Sequence, residues 1–183
     1  KFKLVDNYMA YQVLDDYYVD ISNDMELIKQ EGLCAVKKVD PNMVIKSKGK
    51  SDVEVQDGWK GHILPFDLIK TYVLSADVEE ITNLKNKLDE TVQEYSDILD
   101  SMSEGDKESI NDLLNEGNDA FINSEVKKRA LEIKKSKICL NEDMIEYKIV
   151  RVNDLLESEK NLKTQIRDKE ILLQDNCKNT IEN

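Results

Sequence analysis

The sequence predicts a mainly α protein with a small α+β module, followed by a long antiparallel helical hairpin of coiled-coil character. Three observations predict it. Only two prolines and six glycines occur in 183 residues, and four of those glycines precede Gly105. Charged residues make up 35% of the chain, above the usual quarter, which suits exposed helix faces. Apolar residues in the second half recur at steps of three and four.

The elements follow in order. In "DNYMAYQVLDDYYVDISNDMELIKQEG", Tyr8, Tyr11, Leu14 and Tyr18 mark one helix face. Asp6 or Asn7 can cap its start, and Gly32 closes a short helical turn after it. Residues 33–39, "LCAVKKV", are apolar and β-branched enough for a strand. "NMVIKSKGKSDVEVQ" reads as two strands around Lys48-Gly49-Lys50-Ser51, because Val53 and Val55 alternate with charges. Pro65 suits the first turn of the helix after it, where a missing N–H costs nothing.

The long helix carries Ile81, Leu84, Leu88, Val92, Tyr95, Leu99 and Met102, a narrow seam with one extra step of four. Gly105 is expected to stop it. A short helix then ends at Gly117, and another begins with Ser124 as its cap. The second long helix places Val152, Leu155, Leu162, Ile166 and Leu173 on its seam, with Glu159 and Lys169 as interruptions. Two such seams joined by about 40 residues argue for an antiparallel hairpin, since neither stripe is stable alone in water. The expected domains are 1–74, the α+β module with its β-hairpin, and 75–183, the helical hairpin with short connecting helices.

Charge is distributed unevenly. Net charge is −12 overall, and residues 76–183 hold 16 basic and 26 acidic side chains. Such a surface does not attract phosphate backbones, so general nucleic-acid binding by the chain is not expected. One basic cluster stands apart: Lys127, Lys128, Arg129, Lys134, Lys135 and Lys137 against Glu125 and Glu132. It reads first as a solvated helix face paired with acids, and second as a phosphate contact within a larger nucleoprotein complex.

Catalytic patterns are missing. His62 is the only histidine, beside no recognisable nucleophile elbow, so it reads as a packed or hydrogen-bonded residue. Cys34, Cys139 and Cys177 form no CxxC pair, which argues against a zinc site or a disulfide framework and suits a cytoplasmic setting. No glycine-rich phosphate cradle is present. No apolar run approaches a membrane span. Trp59 is expected to be mostly buried in the small module, near Val53, Val55, Ile63 and Leu64. The chain opens at Lys1 in ordered-looking sequence without an initiator methionine, which reads as a piece of something longer.

The order of these parts resembles the region after the catalytic domain in modification (M) subunits of type I restriction-modification systems. There, a helix of the pattern "YDVYE…L..YW" precedes a lysine-rich hairpin, a "GW.G..IP..L" turn and a helical hairpin. The matching residues are Asn7, Tyr8, Tyr11, Gln12 and Leu14, then Gly58, Trp59, Gly61, Ile63, Pro65 and Leu68. The resemblance covers nearly the whole chain, and "EYKIVRVNDLLESEKNLKTQIRDKEILLQDNC" is similar to the family's second long helix.

That family comprises adenine-N6 DNA methyltransferases using S-adenosylmethionine. Their (N/D)PP(Y/F/W) loop and glycine-rich cofactor loop are not in this sequence; Asp40-Pro41-Asn42 lacks the second proline and the aromatic. No catalytic, cofactor-binding or metal residue therefore carries over, and S-adenosylmethionine belongs to the parent subunit only.

The resemblance implies an assembly role. Its expected partners are the specificity (S) subunit and a second M subunit, with DNA met only inside the assembled complex. A shallow apolar strip off the main seam, Ile98, Leu156 and Ile171, is expected to meet the specificity subunit's helices. The competing expectation is a free-standing α-helical interaction module unrelated to DNA modification.

Overall fold

The computed structural model describes residues 7–48, 51–136, 141 and 143–183. The architecture is mainly helical, with one two-stranded antiparallel sheet. Helix α1 (Asn7–Glu31) is followed by a 3-10 turn (Leu33–Lys37). Strands β1 (Val39–Lys48) and β2 (Ser51–Gly61) come next, then helices α2 (Phe66–Tyr72), α3 (Ser75–Asp100), α4 (Glu104–Ser109), α5 (Asn123–Ser136) and α6 (Ile145–Glu182). Among the described residues, no helix is long and apolar enough to cross a membrane.

The chain groups into two compact units: residues 1–78 with 171–183, and residues 79–170. The division after residue 74 read from sequence assigns the last 13 residues to the hairpin; in the structure they group with the first unit. The cause is visible in their side chains. Cys177 is fully buried and Ile181 nearly so. Lys37 Nζ donates to the Asn183 carbonyl at 2.8 Å, and Asn176 Nδ2 donates to Asp77 at 3.1 Å.

Within the first unit, residues 33–37 are not the strand their composition predicts. Gly32 turns the chain with φ 79, which other residues rarely adopt, and the next five residues wind into a 3-10 turn that buries Ala35. Helix α1 is also one continuous element of 25 residues rather than a helix and a separate turn. The strands do pair as the alternation of Val53 and Val55 predicts, with Val44 opposite Val55. Residues 49–50 of the predicted turn, Asp6 and Lys137 lie outside the described residues.

The register of the sheet shifts between Pro41 and Met43. Gly58 has φ 77 at that irregularity, and Asn42 Nδ2 donates to the Asp57 carbonyl at 3.2 Å across it. This β-bulge sets Trp59 opposite Pro41. A methyl group on Gly61 would lie 1.8 Å from the Leu64 carbonyl oxygen, so the turn closes only with glycine there. Pro65 then caps α2 as its N-cap residue, one position earlier than a first-turn proline.

The second unit contains the hairpin. Ion pairs Glu80–Lys169 and Glu94–Arg151 show α3 and α6 running antiparallel, since the α6 partner lies 18 residues earlier when α3 has advanced by 14. The core comprises Leu99, Met102, Ile110, Leu113, Leu114, Val126, Ala130, Ile133, Ile149 and Val152. The predicted seam is deepest at Val152, Leu155 and Ile166, while Leu162 is half-buried.

Two boundary predictions are corrected. Helix α3 ends at Asp100, and Gly105 lies inside α4 rather than stopping the long helix. Ser103 separates them, forming a reciprocal capping box with Asp106. Helix α5 begins at Asn123, so Ser124 is in its first turn and is not its cap. Between them Leu114 pairs with Phe121 around a turn held by Asn115, whose side chain accepts from the Asp119 and Ala120 amides.

Candidate interaction surfaces

The first unit places the chain's rare residues together. The Lys178 ammonium sits 3.9 Å from the centre of the Trp59 ring, a cation–π contact. Trp59 is half-buried rather than enclosed. Its cover is α6, far away in sequence, and Val53, expected beneath it, is 41% exposed.

His62 bridges three segments. Its Nδ1 lies 2.7 Å from Asp40 Oδ2, its Nε2 faces Glu31 Oε1 at 3.6 Å, and its amide donates to the Lys38 carbonyl. Glu31 is also paired with Lys38 at 2.6 Å. The Lys38 hydrogen bond holds the Glu31 carboxyl below its ordinary range, against a smaller opposing effect of burial, and Glu31 in turn raises the Lys38 ammonium. This cluster fastens the C-terminal end of α1. Along the rest of the helix large apolar side chains such as Tyr11, Leu14 and Tyr18 stand in solvent.

Of the predicted partner strip, Ile98 and Leu156 lie in the second unit and Ile171 in the first. Ile98 and Leu156 pack against the core of the second unit, filling space beside Leu99 and Val152. Ile171 belongs to the other unit and is 56% exposed, beside an equally open Leu172. Spacing placed all three off the seam. It did not show that Ile98 and Leu156 pack, partly buried, against the core of the second unit.

Most of the predicted phosphate-contact cluster is occupied by acids. Lys127 pairs with Glu157, Lys128 with Glu125, Arg129 with Asp112 and Lys134 with Asp154. Lys135 is exposed without an ion pair among the described residues. This is the solvated, acid-paired helix face rather than an open cationic patch.

A groove of about 620 Å³ lies beside it in the second unit, floored by Leu156 and the buried Asn153. Lys127, Lys160, Lys163 and Arg167 line it, together with Glu157 and Glu159. Lys160, Lys163 and Arg167 were not singled out from sequence, because cations spaced along a helix look like any solvated face. Glu159 accepts from Lys163 within the groove, and Tyr95 beside it has its hydroxyl pKa raised, first by burial and then by Glu159. With acids interleaved among its cations, the groove is a mixed-charge surface.

Among the described residues, no three His, Cys, Asp or Glu side chains converge as a metal site requires. No family model, curated protein or solved structure matches the chain.

Proposed function

We propose that the chain is a non-catalytic assembly region from a type I DNA adenine methyltransferase subunit, acting through helical contacts with the specificity subunit. The observation that carries this reading is the order of parts. A tyrosine-bearing helix, a lysine-containing β-hairpin, the 58–65 turn and an antiparallel pair of long helices follow one another, in the order on which the resemblance rests. The turn adds a physical reason for the residues that carry it. Gly58 supplies a left-handed backbone, Gly61 clears the Leu64 carbonyl, and Pro65 starts α2.

The physical role follows from the surfaces. The hairpin satisfies its own seam and serves as a rigid support. Apolar side chains left in solvent, among them those on α1 and Ile171 and Leu172, are available to a partner. Two measurements test this. The chain is expected to co-purify with a type I specificity subunit expressed beside it, and failure to do so sinks the proposal. Calorimetric titration with S-adenosylmethionine is expected to give no binding, and stoichiometric binding contradicts the non-catalytic assignment.

A free-standing helical interaction module is the alternative. Ile98 and Leu156 support it, being explained by packing within the chain alone.

A further inference from the structure

Helix α1 carries its largest side chains on the outside. At 3.6 residues per turn, Tyr11, Leu14, Tyr17, Tyr18, Ile21 and Met25 fall within about 120° of the helix circumference. Each of the six is more than half exposed, from 58% at Ile21 to 73% at Tyr11. A surface helix ordinarily turns such a stripe toward a core. Single apolar residues in solvent are ordinary, whereas a contiguous run of six large ones marks an interaction surface.

The charges around this stripe are predominantly negative, with Lys29 one turn beyond Met25. From Asn7 to Glu31 the helix holds Asp15, Asp16, Asp20, Asp24, Glu26 and Glu31 against Lys29 alone. On the helix circumference Asp15 borders the Tyr11 edge and Asp24 the Tyr17 edge. Among the described residues, Asp15, Asp16, Asp24 and Glu26 form no ion pair. The face is therefore apolar and aromatic along its centre, with uncompensated carboxylates at both margins.

We propose that this face is the docking site for a basic amphipathic helix of a partner protein. Leucine or isoleucine anchors at steps of three and four enter between the tyrosine rings. Lysine or arginine on either side of those anchors meets Asp15 and Asp24. The tyrosine faces accept the same cations, which an acidic or neutral partner does not supply. A second α1 laid on the first would set like charges along both margins, so the helix is not built to pair with itself. From Tyr11 to Met25 the stripe is about 21 Å long, which fits a partner helix of roughly four turns. The inference assigns the surface and the chemistry of its occupant, and stands whether or not that occupant is a specificity subunit.

The test uses the full chain and two labelled synthetic helices of about 18 residues, one leucine/lysine and one leucine/glutamate, followed by fluorescence anisotropy. The leucine/lysine helix is expected to bind and the leucine/glutamate helix not to bind. Tyr11→Ser with Tyr18→Ser is expected to weaken binding at least tenfold. Asp15→Asn with Asp24→Asn is expected to do the same while leaving every apolar contact in place. Asp89→Asn with Glu90→Asn, on the exposed side of α3, is the control and is expected to change nothing. Circular dichroism verifies that each variant keeps its helix content. Failure of the leucine/lysine helix to bind, equal binding of both helices, or unchanged binding by either α1 pair overturns the proposal. So does equal weakening by the control pair, which would mark undirected attraction to an acidic chain. A concentration-dependent dimer that Tyr11→Ser with Tyr18→Ser dissolves would assign the face to a second copy, and would overturn it as well.

Discussion

Helices α1 and α3 are almost equal in length, 25 and 26 residues, and both carry apolar side chains at helical spacing. They end up in opposite circumstances. Ile81 and Leu99 of α3 are buried and Leu84, Leu88, Val92 and Tyr95 half-buried, while Leu14, Tyr17 and Tyr18 of α1 remain in solvent. The period of a stripe says which side of a helix is apolar. It does not say what covers that side, because covering needs a second stripe placed by topology. Helix α3 has α6 returning beside it; α1 is fastened by the cluster at its C-terminal end.

That contrast can be broken by making the same change in both helices. Leu99→Ala in α3 empties a site that is 4% exposed in the core of the second unit, and should cost about 2–5 kcal/mol in urea denaturation. Next in size is Gly61→Ala. Its new methyl meets the Leu64 carbonyl at 1.8 Å, so the turn must shift, at about 1–3 kcal/mol by the same measurement.

Lys178→Met keeps the length of the side chain and removes its charge from the Trp59 ring. A loss of about 0.5–1 kcal/mol is expected, together with a change in the Trp59 emission spectrum. An unchanged spectrum would mean that α6 does not cover the ring.

The fastening of α1 should respond to pH. Glu31 has its carboxyl pKa lowered by the Lys38 hydrogen bond, so its contribution is complete above the ordinary value of 4.5. It fades as pH falls through the lower folded value. Backbone amide signals of residues 28–32 should shift in that window, and Glu31→Gln should abolish the shift. Smallest of all is Leu14→Ala in α1, expected to stay within about 0.5 kcal/mol because Leu14 is 66% exposed. A loss as large as that of Leu99→Ala would mean that α1 is covered after all.

Much of the architecture was legible in the sequence. The seams Ile81–Leu99 and Val152–Ile166 gave both long helices and their antiparallel relation, since two narrow stripes must find each other. Alternation at Val53 and Val55 gave the β-hairpin. Local signals failed where a neighbour decided the outcome. Leu33 to Lys37 has strand-like composition, but the backbone of Gly32 and the burial of Ala35 turn it into a 3-10 segment. Gly105 looks like a stop, but the Ser103–Asp106 capping box starts a new helix across it. The surface was harder to read than the fold. Ile98 and Leu156 sit off the seam, as an interface would, yet tertiary packing covers them. The tyrosines of α1 were read as a helix face, and no local pattern tells a face that meets a core from one that does not.

The first unit is discontinuous in sequence, and this has a consequence for how the chain folds. Residues 79–170 form a compact unit from one continuous stretch and can collapse as soon as they are made. Residues 7–78 cannot finish, since the side chains that fill their core, Leu173, Cys177 and Ile181, arrive about a hundred residues later. The Lys37–Asn183 contact closes a loop of 146 residues. Closing so long a loop costs entropy before any contact rewards it, so the second unit is expected to fold fast and the first slowly. A chain stopped at Glu170 should retain a cooperative helical hairpin and lose ordered tryptophan packing. Until synthesis passes Ile181, the aromatic α1 stays attached to an incomplete unit, and this is the interval in which the chain is most exposed to aggregation.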